Sequence, residues 1–227
     1  LHADWRGGQY QAWLLLRGLA ARGHRAELLA RRGSPLAARG RASGIPVHEV
    51  SGPLLRLRAA RELRSLMRRG QYDLVHAHEA HAHTALWLAG LSPPGFRAVR
   101  IVSRRVVFPP RNNWVSRRKY RCADQYIAIS ERVRKSLQRE TFGSVVVSVV
   151  YDGVELPALP TPEERKQARA GFGLPQEAIV LSCLGALERN KGHVAAVEAL
   201  PLIRQTLPAH LLVAGEGPER TLLRQRV

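Results

Sequence analysis

One strand-to-helix loop carries two cations at a spacing suited to binding phosphate. Residues 185–192 read Gly-Ala-Leu-Glu-Arg-Asn-Lys-Gly and lie between a predicted buried strand and a predicted helix. Lys191 stands just before the helix, and Arg189 stands two residues earlier. The free N–H groups at a helix start, together with nearby cations, bind phosphate oxygens. The loop therefore predicts a diphosphate site, although a charged surface turn would have the same composition. A second tight strand-to-helix loop follows at 215–218.

A pair of glycines near the start of the chain predicts another place where an anion could bind. Gly7 and Gly8 directly precede a predicted helix at 9–22. Glycine lets a ligand approach the backbone closely, and the helix start offers free N–H groups. The pair does not form the GxGxxG dinucleotide fingerprint, and a tight turn without a ligand would also account for it.

Four histidines lie close together and raise the question of a metal site: His76, His78, His81 and His83. Their spacing does not fit a zinc motif, because Ala82 stands where an HExxH motif starting at His78 needs its second histidine. His81 and His83 lie two residues apart at a helix start, so their side chains diverge. We therefore predict no metal site. Instead, we expect His78 and Glu79 to line a cleft at the end of a strand, with the other histidines packed or in solvent.

Two adjacent arginines follow another predicted strand. Arg104 and Arg105 come after Ser103 and before Pro109-Pro110, in a predicted loop at 103–113. Two guanidinium groups beside a cleft are suited to phosphate or carboxylate recognition, but a solvated basic loop remains an alternative. Farther along, Asp152-Gly153 predicts a turn in which glycine permits a positive φ, and turn formation alone would account for the pair.

Helical and strand patterns alternate along the whole chain, and they place these motifs at strand ends. Predicted helices include 9–22, 34–42, 54–69, 114–122, 162–171 and 192–207, and predicted strands are 25–30, 45–50, 72–77, 98–102, 125–129, 145–150, 178–184 and 210–214. The third helix is predicted to end at Gly70, acting as a C′ glycine. This alternation predicts an α/β fold with parallel sheets that bind ligands at the carboxyl ends of their strands. A proline-rich linker at 156–162 predicts two domains, 1–155 and 156–227.

The composition indicates a globular chain and a polyanionic or membrane partner. Hydrophobic residues make up 45% of the 227 residues, and the net charge is +18, which favours anionic lipid surfaces or polyanions. A general preference for arginine would also explain this charge.

Cys122 and Cys183 match no disulfide or zinc pattern, and no apolar run is long enough to span a membrane. These features predict a cytoplasmic protein, and its charge would allow peripheral binding to the inner face of the cell membrane. Both ends are expected to be truncated.

Taken together, the order of these motifs resembles the family 4 retaining glycosyltransferases, which have the two-domain GT-B fold. The resemblance rests on Gly7-Gly8, Leu19–His24, residues 72–78, 123–130, 151–154, the 185–192 loop and residues 215–218. It implies two Rossmann-like, doubly wound parallel-sheet domains, the second incomplete. The first domain would hold the acceptor, and the second would hold a nucleoside-diphosphate sugar.

The resemblance also assigns residues. In the family, an arginine and a lysine of a Gly-Arg-Leu-x-x-x-Lys-Gly loop bind the donor diphosphate. Lys191 matches the lysine, but Ala186 occupies the arginine position, and Arg189 is a candidate substitute. The family usually has Asn-Gly where this chain has Asp152-Gly153, and often a histidine near 103–105. Its paired glutamates would lie beyond residue 227, and its members need no bound metal or other cofactor.

These inferences predict sugar transfer from a nucleotide sugar to an envelope glycolipid, such as a lipopolysaccharide core, or to a polysaccharide, with retention. Four residues would bind the donor diphosphate: Gly7, Gly8, Arg189 and Lys191. His78 and Arg105 are the catalytic candidates, and Glu79 and Arg104 are expected on the acceptor side. The fragment itself is expected to be inactive. The alternatives are a GT-B sugar-nucleotide epimerase and a non-enzymatic basic module that binds nucleic acid or membrane.

Overall fold

The computed structural model describes residues 1–70, 72–90, 98–107, 113–140 and 145–226. Pro109 and Pro110, which belong to the predicted arginine loop, lie outside these ranges. The chain forms two compact units, Leu1–Val154 and Glu155–Val227, and each is described by itself.

The first unit alternates helices and strands in chain order. Its elements are α1 Gly7–Ala20, β1 Leu28–Arg31, α2 Pro35–Ala42, β2 Val47–Val50, α3 Leu55–Arg69, β3 Leu74–Ala77, α4 Ala80–Leu88, β4 Val99–Arg104, α5 Trp114–Tyr120, β5 Gln125–Ala128, α6 Glu131–Glu140 and β6 Val146–Val149. The alternation predicted from apolar periodicity is confirmed. Side-chain oxygens cap several helices as their sequences favour: Ser34 accepts a hydrogen bond from the N–H of Ala37, and Asn113 from that of Ser116.

The strands of the first unit pair in parallel, which confirms the predicted parallel arrangement. β1 pairs with β2, and β3, β4, β5 and β6 form a four-stranded sheet in sequence order. In this sheet Ala77 lies opposite Val102, and Arg104 lies opposite Ala128. Because parallel strands end at the same edge, the residues that follow β3, β4 and β6 are brought together there.

The core of the first unit lies under the four-stranded sheet. Tyr126 and Ala128 of β5 are fully buried, as are Leu86 of α4 and Leu137 of α6. Apolar residues at helical spacing turn one face of each helix inward, and burial of these side chains is the main stabilising contribution. The core therefore fixes the strand ends from which the site is built.

Two predictions about the ends of a strand and a helix in the first unit are wrong. β4 continues through Ser103 and Arg104, so these residues belong to the strand and not to the loop after it. Gly70 ends α3 but has an extended backbone, with φ −106°, instead of the left-handed conformation of a C′ glycine. Its lack of a side chain instead makes room for the ring of Tyr72, which would collide with a Cβ at this position.

The second unit contains a smaller parallel pair of strands. Its elements are α7 Pro162–Gly171, β7 Ile179–Leu184, a 3₁₀ turn at Arg189–Lys191, α8 His193–Arg204, β8 Ala209–Ala214 and α9 Arg220–Gln225. β7 pairs with β8 along its whole length. The predicted capping box is confirmed: the Thr161 hydroxyl accepts from the N–H of Glu164, whose carboxylate accepts from the N–H of Thr161.

Candidate functional site

Two histidines meet at the carboxyl end of β3. The ring centroids of His76 and His78 lie 3.9 Å apart, and Nε2 of His76 lies 2.8 Å from the hydroxyl of Ser103. Burial lowers the pKa of His76 to about 4, and the charge of Arg105 acts in the same direction. Burial also lowers the pKa of His78 well below its usual value, with His76 and Arg105 adding to the effect. Both rings are therefore neutral near pH 7 and act as hydrogen-bonding groups.

His78 has unused hydrogen-bonding capacity at this strand end. Its Nδ1 atom is buried and has no hydrogen-bond partner among the described residues. A buried polar atom without a partner is uncommon because its desolvation goes uncompensated. This nitrogen lies at the edge where parallel sheets bind ligands, and the described residues leave it without a hydrogen bond.

Arg105 links the end of β3 to the segment that follows β6. Its Nε lies 3.3 Å from both carboxylate oxygens of Asp152, and its Nη1 donates to the carbonyl oxygen of His78 at 3.2 Å. The side chains of Arg105 and Asp152 are 17% and 33% exposed, so the pair is only partly screened by water. A Cβ at Gly8 would lie 3.7 Å from Cδ of Arg105. The structure thus brings Gly8, His78 and Arg105 together.

The two glycines at 7 and 8 form the first turn of α1, after Arg6 as the N-cap. A first-turn N–H group has no acceptor within its own helix, so these groups are suited to binding an anion. The structure places both glycines in the first unit, whereas Arg189 and Lys191 lie in the second. Gly7 has open space around its α-carbon.

Gln11 clamps the segment that carries Asp152, a contact that sequence reasoning missed. Its side-chain amide donates to the carbonyl oxygen of Gly153 at 2.5 Å and accepts from the N–H of Gly153 at 3.2 Å. Gly153 does not have a positive φ, and residues 151–154 form no turn, so the prediction of a turn is wrong. The glutamine amide holds this segment instead. No sequence signal could find this contact, because the two residues are 142 positions apart.

Glu79 and Arg104 have different surroundings from those of Arg105. Glu79 is the N-cap of α4, and its side chain makes no capping hydrogen bond there. Arg104 donates from Nη1 to the hydroxyl of Tyr120 at 3.0 Å and from Nε to the carbonyl oxygen of Val106 at 3.0 Å. Successive side chains of an extended chain point to opposite sides, so the structure separates Arg104 from Arg105 and from the histidine pair. The predicted pair of guanidinium groups beside one cleft is therefore not formed.

The remaining histidines diverge, as their spacing predicted. His83 is buried, with Nε2 3.2 Å from the hydroxyl of Tyr126 and 3.1 Å from the carbonyl oxygen of Lys119, whereas His81 is exposed. Burial lowers the pKa of His83 to about 3, and the charge of Lys119 acts in the same direction. Within the described ranges, no group of three or more His, Cys, Asp or Glu residues is arranged to hold a metal ion.

In the second unit, backbone hydrogen bonds hold the 185–192 loop against the 215–219 loop. The N–H of Leu187 donates to the carbonyl oxygen of Glu216 at 2.9 Å, and the N–H of Glu219 donates to the carbonyl oxygen of Leu187 at 3.0 Å. A Cβ at Gly217 would lie 2.5 Å from the carbonyl oxygen of Leu187, so glycine permits the two loops to approach this closely. The side chain of Leu187 is buried beneath them.

A buried histidine fixes the same loop from the side of α8. His193 Nε2 lies 3.0 Å from the carbonyl oxygen of Ala186, and Nδ1 lies 3.0 Å from Sγ of Cys183. Because Nε2 must donate to the carbonyl, Nδ1 accepts from the thiol. Sequence reasoning missed His193; its place directly after Gly192, at a helix start, is the only sequence signal for it.

The two cations of the loop are presented to solvent. Arg189 and Lys191 are exposed and lie in the 3₁₀ turn, and Gly192 with φ 75° connects this turn to α8. The left-handed conformation of Gly192 would be strained for other residues. Anchored backbone with exposed cations can bind an oxyanion without reorganising the loop.

Comparison with known protein families decides the family. The model of Glycosyltransferase Family 4 matches residues 5–157, which hold the histidine pair, Arg105 and Asp152. The chain belongs to this glycosyltransferase family. No curated protein sequence matches the chain significantly. Within the part that the structure describes, no helix is both long enough and apolar enough to cross a membrane.

Solved structures share the fold of this family 4 chain. A glycosyltransferase from Rickettsia africae superposes with a TM-score of 0.76 at 19% identity, over 96% of this chain and 59% of that one. HepE of Anabaena, in complex with UDP and glucose, superposes with a TM-score of 0.77 at 15% identity, over 100% of this chain and 63% of HepE. S. aureus MnaA, solved together with UDP, superposes with a TM-score of 0.57 at 12% identity, over 98% of this chain and 62% of MnaA. The fold is GT-B, and the chain spans about three fifths of the length of these proteins.

Proposed function

We propose that the complete protein transfers a sugar from a nucleoside-diphosphate sugar to an acceptor, with retention at the anomeric carbon. The observation that carries the proposal is the rigidly held 185–192 loop, which presents Lys191 and Arg189 at the start of α8. Family membership supports the same reaction class. HepE, which shares the fold, forms complexes with UDP and glucose and with UDP-glucose, and these ligands indicate the class of donor.

Lys191 and Arg189 would act on the leaving group. Negative charge builds on the diphosphate as the bond to the sugar breaks, so fixed cations at that point stabilise the transition state more than the ground state. Lys191 is the lysine that the family motif assigns to this role. Arg189 would supply the second positive charge, because Ala186 occupies the motif's arginine position. Its place in the 3₁₀ turn, two residues from Lys191, keeps both charges on one short segment.

In the first unit, His78 and Arg105 would contact the reacting sugar or the acceptor. A neutral His78 can donate or accept a hydrogen bond at pH 7 without adding positive charge to the site. Arg105 is held by Asp152 and by the carbonyl of His78, which fixes the direction of its guanidinium group. Gly7 and Gly8 offer backbone N–H groups to a phosphate, and Glu79 lies on the acceptor side. Arg104, bound to Tyr120, would support the strand end from its other face. No metal or other cofactor is part of this proposal.

The acceptor would be an anionic envelope glycolipid, such as a lipopolysaccharide core, or a polysaccharide. The net charge of +18 supports an anionic partner at the inner face of the cell membrane. The reaction would then take place in the cytoplasm, where nucleotide sugars serve as donors. We expect residues 1–227 alone to be inactive, because this chain spans only about three fifths of the length of the proteins that share its fold.

The test is a product assay of the complete protein with labelled nucleotide sugars, with and without acceptor glycolipid. Transfer predicts label in the glycolipid and nucleoside diphosphate released only when the acceptor is present. An epimerase would convert or release the sugar without any acceptor. The anomeric configuration of the product, read by NMR coupling constants, tests retention. Label that never enters an acceptor, together with acceptor-independent turnover, would disprove the proposal.

A further inference from the structure

The segment that opens α3 presents apolar side chains to solvent. Leu54 is 72% exposed and Leu57 is 50% exposed. Leu54 also has a left-handed backbone, with φ 56°, and is the one non-glycine residue with positive φ in the described ranges. A bulky residue in this conformation is strained, and such strain persists where the surroundings or a function require it. In this strained conformation, the side chain of Leu54 faces solvent and not the core.

The exposed leucines share a face with arginines. Helical spacing places Leu57, Arg58 and Arg61 on one stripe, directly opposite Ala59, Ala60, Leu63 and Met67, which face the core. α3 carries six arginines and a single acidic residue, Glu62. The carboxylate of Glu62 lies 3.4 Å from Nη2 of Arg69, the last residue of the helix. We call this stripe the α3 face; it consists of Leu54, Leu57, Arg58 and Arg61. It combines two apolar side chains with two positive charges and contains no acidic residue.

The core-facing side of α3 packs against α4, the helix that follows the histidine pair. The α3 face lies on the other side of the same helix and is turned to solvent. Elsewhere in the first unit, Trp114 at the start of α5 is 72% exposed as well.

We propose that the α3 face docks this protein on the surface of an anionic lipid bilayer. Leu54 and Leu57 would enter the boundary between headgroups and acyl chains, while Arg58 and Arg61 bind the lipid phosphates. Nucleic acid fits the arginines but offers no apolar layer for two exposed leucines. The surface rests on exposure and charge and does not depend on the proposed reaction.

The test measures binding of the complete protein to vesicles without donor or acceptor. Vesicles of phosphatidylcholine with phosphatidylglycerol are compared with vesicles of phosphatidylcholine alone, by co-sedimentation. The variant Leu54→Gly/Leu57→Ala removes both apolar side chains, yet glycine relieves the backbone strain at position 54 and alanine favours the helix. The variant should therefore stay folded, which a melting curve verifies. Loss of binding then reports the loss of the two apolar side chains. The matched control is Leu156→Ala/Leu159→Ala, because these leucines are 88% and 92% exposed in the second unit.

We expect the wild-type protein and the control to bind the anionic vesicles, and the α3-face variant to bind them about tenfold more weakly or worse. Binding to phosphatidylcholine alone should be weak for all three proteins. Anionic-vesicle binding that the α3-face variant retains in full would overturn the proposal, as would a wild-type protein that does not bind. A short DNA duplex that displaces the protein from vesicles, with the variant equal to wild type, would assign the arginines to a polyanion site and also overturn it.

Discussion

The guanidinium group of Arg105 and the carboxylate of Asp152 lie 3.3 Å apart, although 47 positions separate them in the chain. Each residue departs from the pattern that family 4 resemblance predicts, a histidine near 103–105 and an asparagine at 152. The structure shows that the two departures are partners. The charged residue at one position is thus paired with the opposite charge at the other, at the carboxyl edge of the sheet.

We predict that Arg105 and Asp152 are energetically coupled. Asp152→Asn should lower the free energy of unfolding by about 1 kcal/mol or less, because the pair is partly exposed and partly screened. Arg105→His combined with Asp152→Asn should cost less than the sum of the single variants. A double-mutant cycle in urea measures this coupling. The exposed pair Arg134–Glu131 on α6 serves as the control, and additive effects at 105 and 152 would contradict the prediction.

Lys191→Ala should weaken donor binding without destabilising the fold. The side chain is exposed, so its removal leaves the core intact, but a charge-assisted contact to phosphate is lost. We expect a loss of about 1.5–3 kcal/mol in donor binding, measured by calorimetry of the complete protein with UDP, GDP and ADP. Lys166→Ala, an exposed lysine of α7 in the same unit, should bind like wild type. If wild type, Lys191→Ala and Lys166→Ala bound each nucleoside diphosphate with equal affinity, Lys191 would not belong to the donor site.

Gly217→Ala should damage both stability and donor binding. The new methyl group would lie 2.5 Å from the carbonyl oxygen of Leu187 and would push the two loops apart. Such overpacking costs about 1–3 kcal/mol, and the displaced loop carries Lys191. Gly171→Ala is the control, because nothing lies within 4 Å of that position and alanine favours a helix. Melting curves of the two variants should separate by several degrees; coincident curves would show that the loops tolerate the methyl group.

Stability should fall as the pH is lowered from about 6.5 towards 3. His83 and His76 have pKa values of about 3 and about 4 in the folded chain, against a usual value of 6.5. In this window the unfolded chain binds more protons than the folded one, so stability rises with pH and is complete above 6.5. His83→Gln should reduce the slope by up to about 1.4 kcal/mol per pH unit while leaving it unchanged above pH 7. Urea unfolding at several pH values measures the slope, and an unchanged slope would disprove the assignment.

The periodicity of apolar residues was sufficient to predict the alternation of helices and strands. Side chains repeat every two or about every three and a half residues in these elements, so the sequence itself records which face is buried. The capping box at Thr161 was likewise predictable because its partners are three residues apart. The loop between β7 and α8 could be located for the same reason, since its residues form one short segment.

The remaining features depend on contacts between distant residues, for which no local pattern exists. The Gln11 clamp on Gly153 spans 142 positions, and it holds an extended segment where the sequence predicted a turn. The extra length of β4 comes from pairing with β5, where Arg104 lies opposite Ala128, and this pairing turns Arg104 away from Arg105. Gly70 is required by the approach of the Tyr72 ring and not by its own φ.

The central claim, that this family 4 protein uses a nucleotide sugar, is tested most directly by ligand-induced stabilisation. The melting temperature of the complete protein is measured with a panel of nucleotide sugars and their nucleoside diphosphates, for wild type and Lys191→Ala. At a ligand concentration one hundred times the Kd, binding contributes about 2.7 kcal/mol, so one donor and its diphosphate should raise the wild-type melting temperature by several degrees. The shift should shrink in Lys191→Ala. A wild-type protein whose melting temperature no nucleotide sugar changes would contradict the claim.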